Sequence, residues 1–272
     1  MCTGEDNGMK AGKLSICVGA LGLAALAALA LGAKTPPKAA GKMADYPTSE
    51  YTIRQIEGWK VHVHKDLLTS KKQLGDKALK LLQVKLYDVN RVVPPAALAD
   101  LHKIPIWISV KDRLGCHPCA AYHPSREWLK SNGYNPDKAG SLDILNASTF
   151  LRWTLHQPSM VLHELAHGYH HRFLPGGYGN KELKAAHKRA LAGKTYDSVL
   201  HVSGRKRRAY AMNNPQEYFA ELTEAYFGTN DFYPFVRAEV MKHDPQMYKL
   251  LKKLWNRPPA KAGGSKGKDK QD

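Results

Sequence analysis

The chain has 272 residues, with 41 Lys and Arg against 24 Asp and Glu, a formal net charge of +17 and hydrophobic residues at 43%. Those figures suit an enzyme-sized globular protein. The sequence contains no internal repeat and no recognisable nucleic-acid-binding module, so its basic charge is read as favouring acidic substrates, polyanions or an anionic surface rather than a specific nucleic acid.

Leu14 to Ala33 is apolar or small throughout except for Ser15, with Lys10 and Lys13 before it and Lys34 after it. A cationic start and an apolar run read as a signal peptide over 1–33, with cleavage contexts at Ala28-Leu-Ala30 and Ala30-Leu-Gly32. The run is also long enough to span a bilayer, so an uncleaved membrane anchor is the alternative, and the only membrane contact expected. Met9 opens a more typical leader than the acidic Glu5-Asp6 segment, and Cys17 sits too early in the run for lipid attachment. Either form of the leader predicts an exported protein: secreted, periplasmic or tethered to the outer face of the membrane. Residues 34–50 have linker composition, 51–255 are read as one domain, and 256–272 form a Lys/Gly/Pro tail. With residues 1–45 and 256–272 set aside, the core still carries a net charge of +12. Its one dense basic cluster, Arg205-Lys-Arg-Arg208, is expected in a solvated loop.

Within the domain, Tyr51 to Ile56 and Trp59 to His64 alternate about Glu57-Gly58 like a hairpin. Lys72 to Val92 carries Leu74, Ala78, Leu81, Leu82 and Val89 at helical intervals until Pro94-Pro95 stops it. Ile104-Pro-Ile-Trp-Ile-Ser-Val110 is the strongest strand, and Pro105 argues for a strand start or an edge position to which a peptide can add. Cys116-His-Pro-Cys119 is expected as a short disulfide in an exported protein, with half a metal site or a redox pair as alternatives. Leu142 to Ala147 is a second strand, and Asn146-Ala-Ser148 is a glycosylation sequon. The segment from Asp231 to Trp255 reads as a helix interrupted near Asp244-Pro245. Strands before predominantly helical structure indicate α+β.

The chemistry concentrates in His163-Glu-Leu-Ala-His167. Residues four apart share a helix face, so both imidazoles can reach one Zn²⁺ while Glu164, about 100° round the helix, faces the open coordination position. Val161, Leu162, Leu165, Ala166 and Tyr169 form an apolar stripe that buries this helix, and Pro158, with Gln157 or Ser159 as cap, suits its start. A catalytic zinc needs a third protein ligand and a position left for water. His170 and Phe173 stand where a metzincin has Gly and His, which excludes that subclass. Asn214-Pro-Gln-Glu-Tyr-Phe-Ala-Glu221 opens a second helix in which Glu217 and Glu221 share a face. One carboxylate can bind the metal while the other orients a ligand histidine; Glu217 is the better candidate for ligand.

A helix bearing His-Glu-x-x-His, followed some fifty residues later by Glu-Tyr-Phe-Ala-Glu, resembles the gluzincin-type metallopeptidase domain of the anthrax lethal factor group. The resemblance is anchored in about twenty-five positions. It implies a zincin-like fold, Glu217 as third zinc ligand with Glu221 beside it, and an oxyanion-assisting tyrosine seven residues before Glu217, which here is Tyr210. On this reading zinc lowers the pKa of a bound water and polarises the scissile carbonyl of a peptide or protein substrate, and Glu164 serves as general base. Other functional classes are a zinc amidohydrolase acting on a cell-wall or other non-protein amide and a non-catalytic zincin-fold surface-binding module. The intact Glu164 argues against the second of these. Substrate and oligomeric state are not legible in the sequence.

Overall fold

The computed structural model describes residues 44–115 and 119–257. The leader, residues 34–43 of the linker, Cys116 and the tail from residue 258 lie outside them.

Alternation over 51–64 does what a period of two requires. Strands β1 (Tyr51–Ile56) and β2 (Trp59–His64) pair antiparallel, with Tyr51 opposite His64 and Ile56 opposite Trp59. Glu57 and Gly58 between them both have positive φ, the two-residue turn that matches strand twist. Helix α1 (Lys72–Val92) buries Gly75, Ala78, Leu82, Leu86 and Val89, a stripe recurring every three or four residues. It ends before Pro94-Pro95, and Pro95 opens α2 (Pro95–Leu101), where a missing N–H costs nothing.

Strand β3 (Ile106–Ile108) follows, then β4 (Ala120–Tyr122), helix α3 (Arg126–Ser131) and β5 (Leu142–Ile144). The five strands form one sheet in the order β1-β2-β3-β5-β4. Strands β2, β3 and β5 are parallel, while β1 and β4 run antiparallel at the two edges. Of the two places Pro105 allowed, the strand start is the one found, and the edge position is corrected: β3 begins directly after Pro105 and is central. Pro105 precedes the first paired residue, so its missing N–H falls outside the ladder, and the unbroken burial of Ile106, Trp107 and Ile108 suits a strand covered on both faces. The edge beside the His-Glu-x-x-His helix is β4.

The sheet's two faces follow the same alternation. Val61, Val63, Ile106, Ile108, Leu142 and Ile144 join the main core with the helices. His62, Trp107 and Asp143 are the residues between them, and the rings of His62 and Trp107 stack at 3.9 Å. That second face is covered by residues 45–51 and the segment from α3 to β5. Asp45, in the expected linker, is buried, and its carboxylate lies 2.9 Å from Lys138 Nζ. The linker thus ends sooner than residue 50.

After β5 the chain is mainly helical. Helix α4 (Ala147–Trp153), capped by Asn146, leads into α5 (Met160–Phe173) and α6 (Lys181–Ala192). A two-stranded ribbon, β6 (Val199–Leu200) and β7 (Lys206–Arg207), carries the exposed basic cluster. Helix α7 (Pro215–Phe227) packs along α5, and α8 (Arg237–His243) and α9 (Pro245–Trp255) are separated at Asp244. The Asp244 carboxylate caps α9, pairs with Arg189 and accepts from Tyr218. A small mixed sheet followed by helices makes the architecture α+β. No helix among the described residues is long and apolar enough to cross a membrane.

Candidate metal centre

Helix α5 is buried from Met160 to His170 with one exception, Glu164. That pattern fixes the motif's geometry: the two histidines are inside and the intervening carboxylate meets solvent. Gly168 lets the helix come this close to the sheet, because a Cβ there would lie 2.6 Å from Ile104 Cδ1 and 3.0 Å from Tyr122 Cε2. On the facing helix, Asn214 caps the first turn by accepting from the Glu217 N–H at 2.8 Å, and Pro215 occupies the first helical position. The cap sets the phase of α7, so that Glu217, Glu221 and Glu224 are all buried on an otherwise largely apolar helix.

Three side-chain atoms converge between the helices. His163 Nε2 lies 3.0 Å from His167 Nε2 and 3.1 Å from Glu217 Oε2, and His167 Nε2 lies 3.3 Å from the same oxygen. Atoms bound to one tetrahedral ion at about 2.0–2.1 Å stand about 3.3 Å apart, so the triad has the span of a tripod on a single metal ion. The donor set also fits one. His163 Nδ1 lies 2.7 Å from Glu224 Oε1, so the neutral tautomer that donates from Nδ1 to this carboxylate has its Nε2 lone pair directed at the other two ligand atoms. Converging lone pairs in a buried site repel unless a cation stands among them.

The electrostatics carry the same message. Burial disfavours ionising Glu217, yet the imidazoles of His167 and His163 outweigh it and hold the carboxyl well below the usual range. Burial opposes charge on His163 as well, and Glu217 and Glu224 reverse this, raising it well above an ordinary histidine. A proton on His163 and a metal ion answer one electrostatic need and compete for it. Glu221 is pushed up by burial and by Asp231 and Glu224.

The expected partner of the ligand histidine was Glu221; the geometry gives that place to Glu224. Glu221 Oε1 is 3.8 Å from His163 Nδ1, too far for a hydrogen bond. Glu224 also accepts from Gln157 Nε2 at 3.1 Å, and Gln157 Oε1 accepts from Trp153 Nε1 at 2.9 Å, so a chain of polar contacts from α4 fixes its carboxylate. The missed signal was legible: Glu224 stands seven residues after Glu217, two turns along the same buried face.

Glu164 is held by β4. Its Oε2 accepts the Tyr122 N–H at 2.8 Å, which ties the motif's half-buried carboxylate to the edge strand. Tyr210 opens the short turn packed against α7, and its phenol is raised by burial and by the carboxylates of Glu217, Glu164 and Glu221. Tyr178, which the sequence did not single out, is raised by burial, Tyr122, Glu217 and Glu164. Cys119 is a buried free thiol 3.4 Å from Met160 Sδ. Burial, with Glu164 nearby, pushes it up to about 12. Its expected disulfide partner, Cys116, lies outside the described residues. Comparison with known proteins finds no matching family model, no matching curated protein and no matching solved structure.

Proposed function

We propose that the protein is an exported zinc metallopeptidase of gluzincin type with a zincin-like fold. The observation that carries this reading is the joint placement of the His163, His167 and Glu217 ligand atoms, 3.0–3.3 Å apart, and a half-buried Glu164 held by the edge strand. Zinc is the ion that a buried two-imidazole, one-carboxylate set with tetrahedral spacing suits best, and when bound it supplies Lewis acidity and a water acidified toward neutrality.

The chain's own residues account for the remaining steps. Glu164, fixed by the Tyr122 amide, takes the proton of the attacking water and returns it to the leaving amine. Tyr210 keeps its proton and donates to the oxyanion that develops on the scissile carbonyl. Glu224 and the Trp153–Gln157 relay hold His163 in the ligand tautomer. Strand β4 pairs with β5 on one side only among the described residues. An extended peptide can add along its other side, and this favours peptides as substrates.

The decisive comparison is unbiased peptide-cleavage profiling of the parent and a Glu164→Gln variant, with zinc content measured in both. The variant should keep its zinc and lose hydrolysis by roughly 10²-fold or more. Equal activity in the two would remove Glu164 as base. Cleavage of cell-wall amides without any peptide cleavage would move the assignment to an amidohydrolase.

A further inference from the structure

Tyr122 meets α5 at three positions of one helix face. Its backbone N–H donates to Glu164 Oε2 at 2.8 Å, and its hydroxyl lies 2.9 Å from His171 Nδ1. Between these, its Cε2 lies 3.0 Å from the point a Cβ on Gly168 would occupy, so glycine at 168 is what lets the ring rest against the helix. Residues 164, 168 and 171 are spaced i, i+4 and i+7, and the edge-strand tyrosine therefore runs lengthwise along α5.

The pairing of β4 explains why that amide is free to bind a carboxylate. Leu145 N–H donates to the Cys119 carbonyl and His123 N–H to the Ser141 carbonyl, so residues 119 and 123 turn polar groups toward β5. Alternation along the antiparallel pair then turns the N–H and C=O of Ala120 and Tyr122 toward the open edge. An outward amide has no ladder partner, and its direction depends on how the strand is rolled against α5. The Tyr122 side chain sets that roll, because its hydroxyl is fastened to His171. The His171 ring is packed in turn on Tyr178, at 4.9 Å between centroids. Tyr178 arrives there through Gly176 and Gly177, whose φ values are 76° and 50°. A Cβ on Gly177 would lie 2.6 Å from the His171 carbonyl oxygen, so only glycine permits so tight a return against the helix end.

We propose that His171 and the Tyr122 hydroxyl are positioning residues for Glu164: their bond holds β4 at the roll at which the Tyr122 N–H fixes the carboxylate of the base. The proposal rests on the hydrolase reading for what Glu164 does, while the brace itself is a property of the chain. A carboxylate tethered through one oxygen keeps the other in a defined place for the water it must deprotonate. Without the bond to His171 the ring can still lie on Gly168, but the strand is free to roll and the carboxylate moves with it.

The test uses the full chain loaded with zinc and compares the parent with Tyr122→Phe, His171→Leu, His171→Asn, and Tyr122→Phe combined with His171→Leu. Asparagine carries its amide as many bonds from the backbone as Nδ1 and bonds a phenol in either sense, so it is the variant expected to rescue. Hydrogen exchange is read at the amide of residue 122, with the His123 amide, bonded to Ser141, as internal reference. Peptide hydrolysis is measured in parallel. Tyr122→Phe and His171→Leu should each speed exchange at residue 122 roughly tenfold with His123 unchanged, and lower kcat roughly tenfold at constant zinc content and nearly constant KM. The double variant should be no worse than either single one, and His171→Asn should recover most of the loss. Unaltered exchange at residue 122, equal acceleration at His123, an unchanged kcat, losses that add, or an asparagine no better than the leucine would each overturn it. Acceleration confined to residue 122 in a protein that cleaves no peptide would overturn the hydrolase reading and still support the brace on Glu164.

Discussion

The protein buries two charged clusters, and they resolve the same electrostatic problem in opposite ways. On the outer face of the sheet, Asp45 and Asp143 each lie 2.9 Å from Lys138 Nζ, and His123 Nε2 lies 3.2 Å from Asp143. Between α5 and α7, Glu217, Glu221 and Glu224 face His163 and His167, and no Lys or Arg among the described residues forms an ion pair with any of the three. Buried carboxylates need positive charge or protons. The first cluster carries its cation covalently and is complete, a latch that fastens the segment at Asp45 to the sheet. The second takes its compensation from protons or an ion, and that openness is what makes it the candidate metal centre.

The largest effect is expected where the complete cluster is broken. Lys138→Met leaves two buried carboxylates without their cation, and should cost about 3–5 kcal/mol in denaturant unfolding. In the parent, burial opposes ionising Asp143, but Lys138 and His123 outweigh it and lower its pKa. Burial likewise opposes charge on Lys138, and Asp143 leads the groups that raise it. A lowered acid stabilises fully above its unfolded value of about 3.9 and loses that contribution as pH falls through its folded value. A raised lysine stabilises fully below about 10.4 and loses it as pH rises through its folded value. The cluster's contribution should therefore be flat between about pH 4 and pH 10 and vanish in the variant. A variant as stable as the parent at pH 7 would show the latch to be dispensable.

The incomplete cluster should respond to metal instead. Zinc at a free concentration of about 100 times its Kd should raise unfolding stability by about 2.7 kcal/mol, and a chelator should reverse this. The Lys138→Met variant should show the same increment, because the two clusters are separate. Thermal or denaturant unfolding that ignores zinc would contradict the site.

How much of this was legible depended on whether the signal was local. The Tyr51–His64 hairpin, the helix over Lys72–Val92 and the break at Asp244 rest on alternation, periodicity and proline, which act over a few residues. The His163–Glu164–His167 spacing and the start of α7 at Pro215 are equally local. What escaped depends on pairing between distant segments. Nothing within Ile104–Val110 states that β5 arrives to make β3 central, or that the three-residue β4 takes the edge and holds Glu164 through an amide. Choosing between Glu221 and Glu224 required the phase at which α7 meets α5. Tyr178 needed the turn at Gly176-Gly177, whose glycines were visible but whose direction was not.

The smallest effects discriminate most sharply, since they separate two neighbouring glutamates on one helix. Glu224 accepts directly from His163 Nδ1 at 2.7 Å, and a carboxylate there fixes the ring and raises its basicity toward the ion. Glu224→Gln puts an amide in that place and should weaken zinc binding about 10- to 100-fold, read by competition with a chelating dye. Burial raises both carboxyls, Glu221 with the further push of Asp231 and Glu224 and Glu224 against the opposing pull of His163, and Glu221 makes no hydrogen bond to the histidine. A glutamine resembles a neutral glutamic acid in shape and hydrogen bonding, so Glu221→Gln should change zinc affinity by less than about threefold. If the two variants exchanged these responses, Glu221 would be the residue that orients His163, and the packing phase of α7 against α5 would have to differ from the one described.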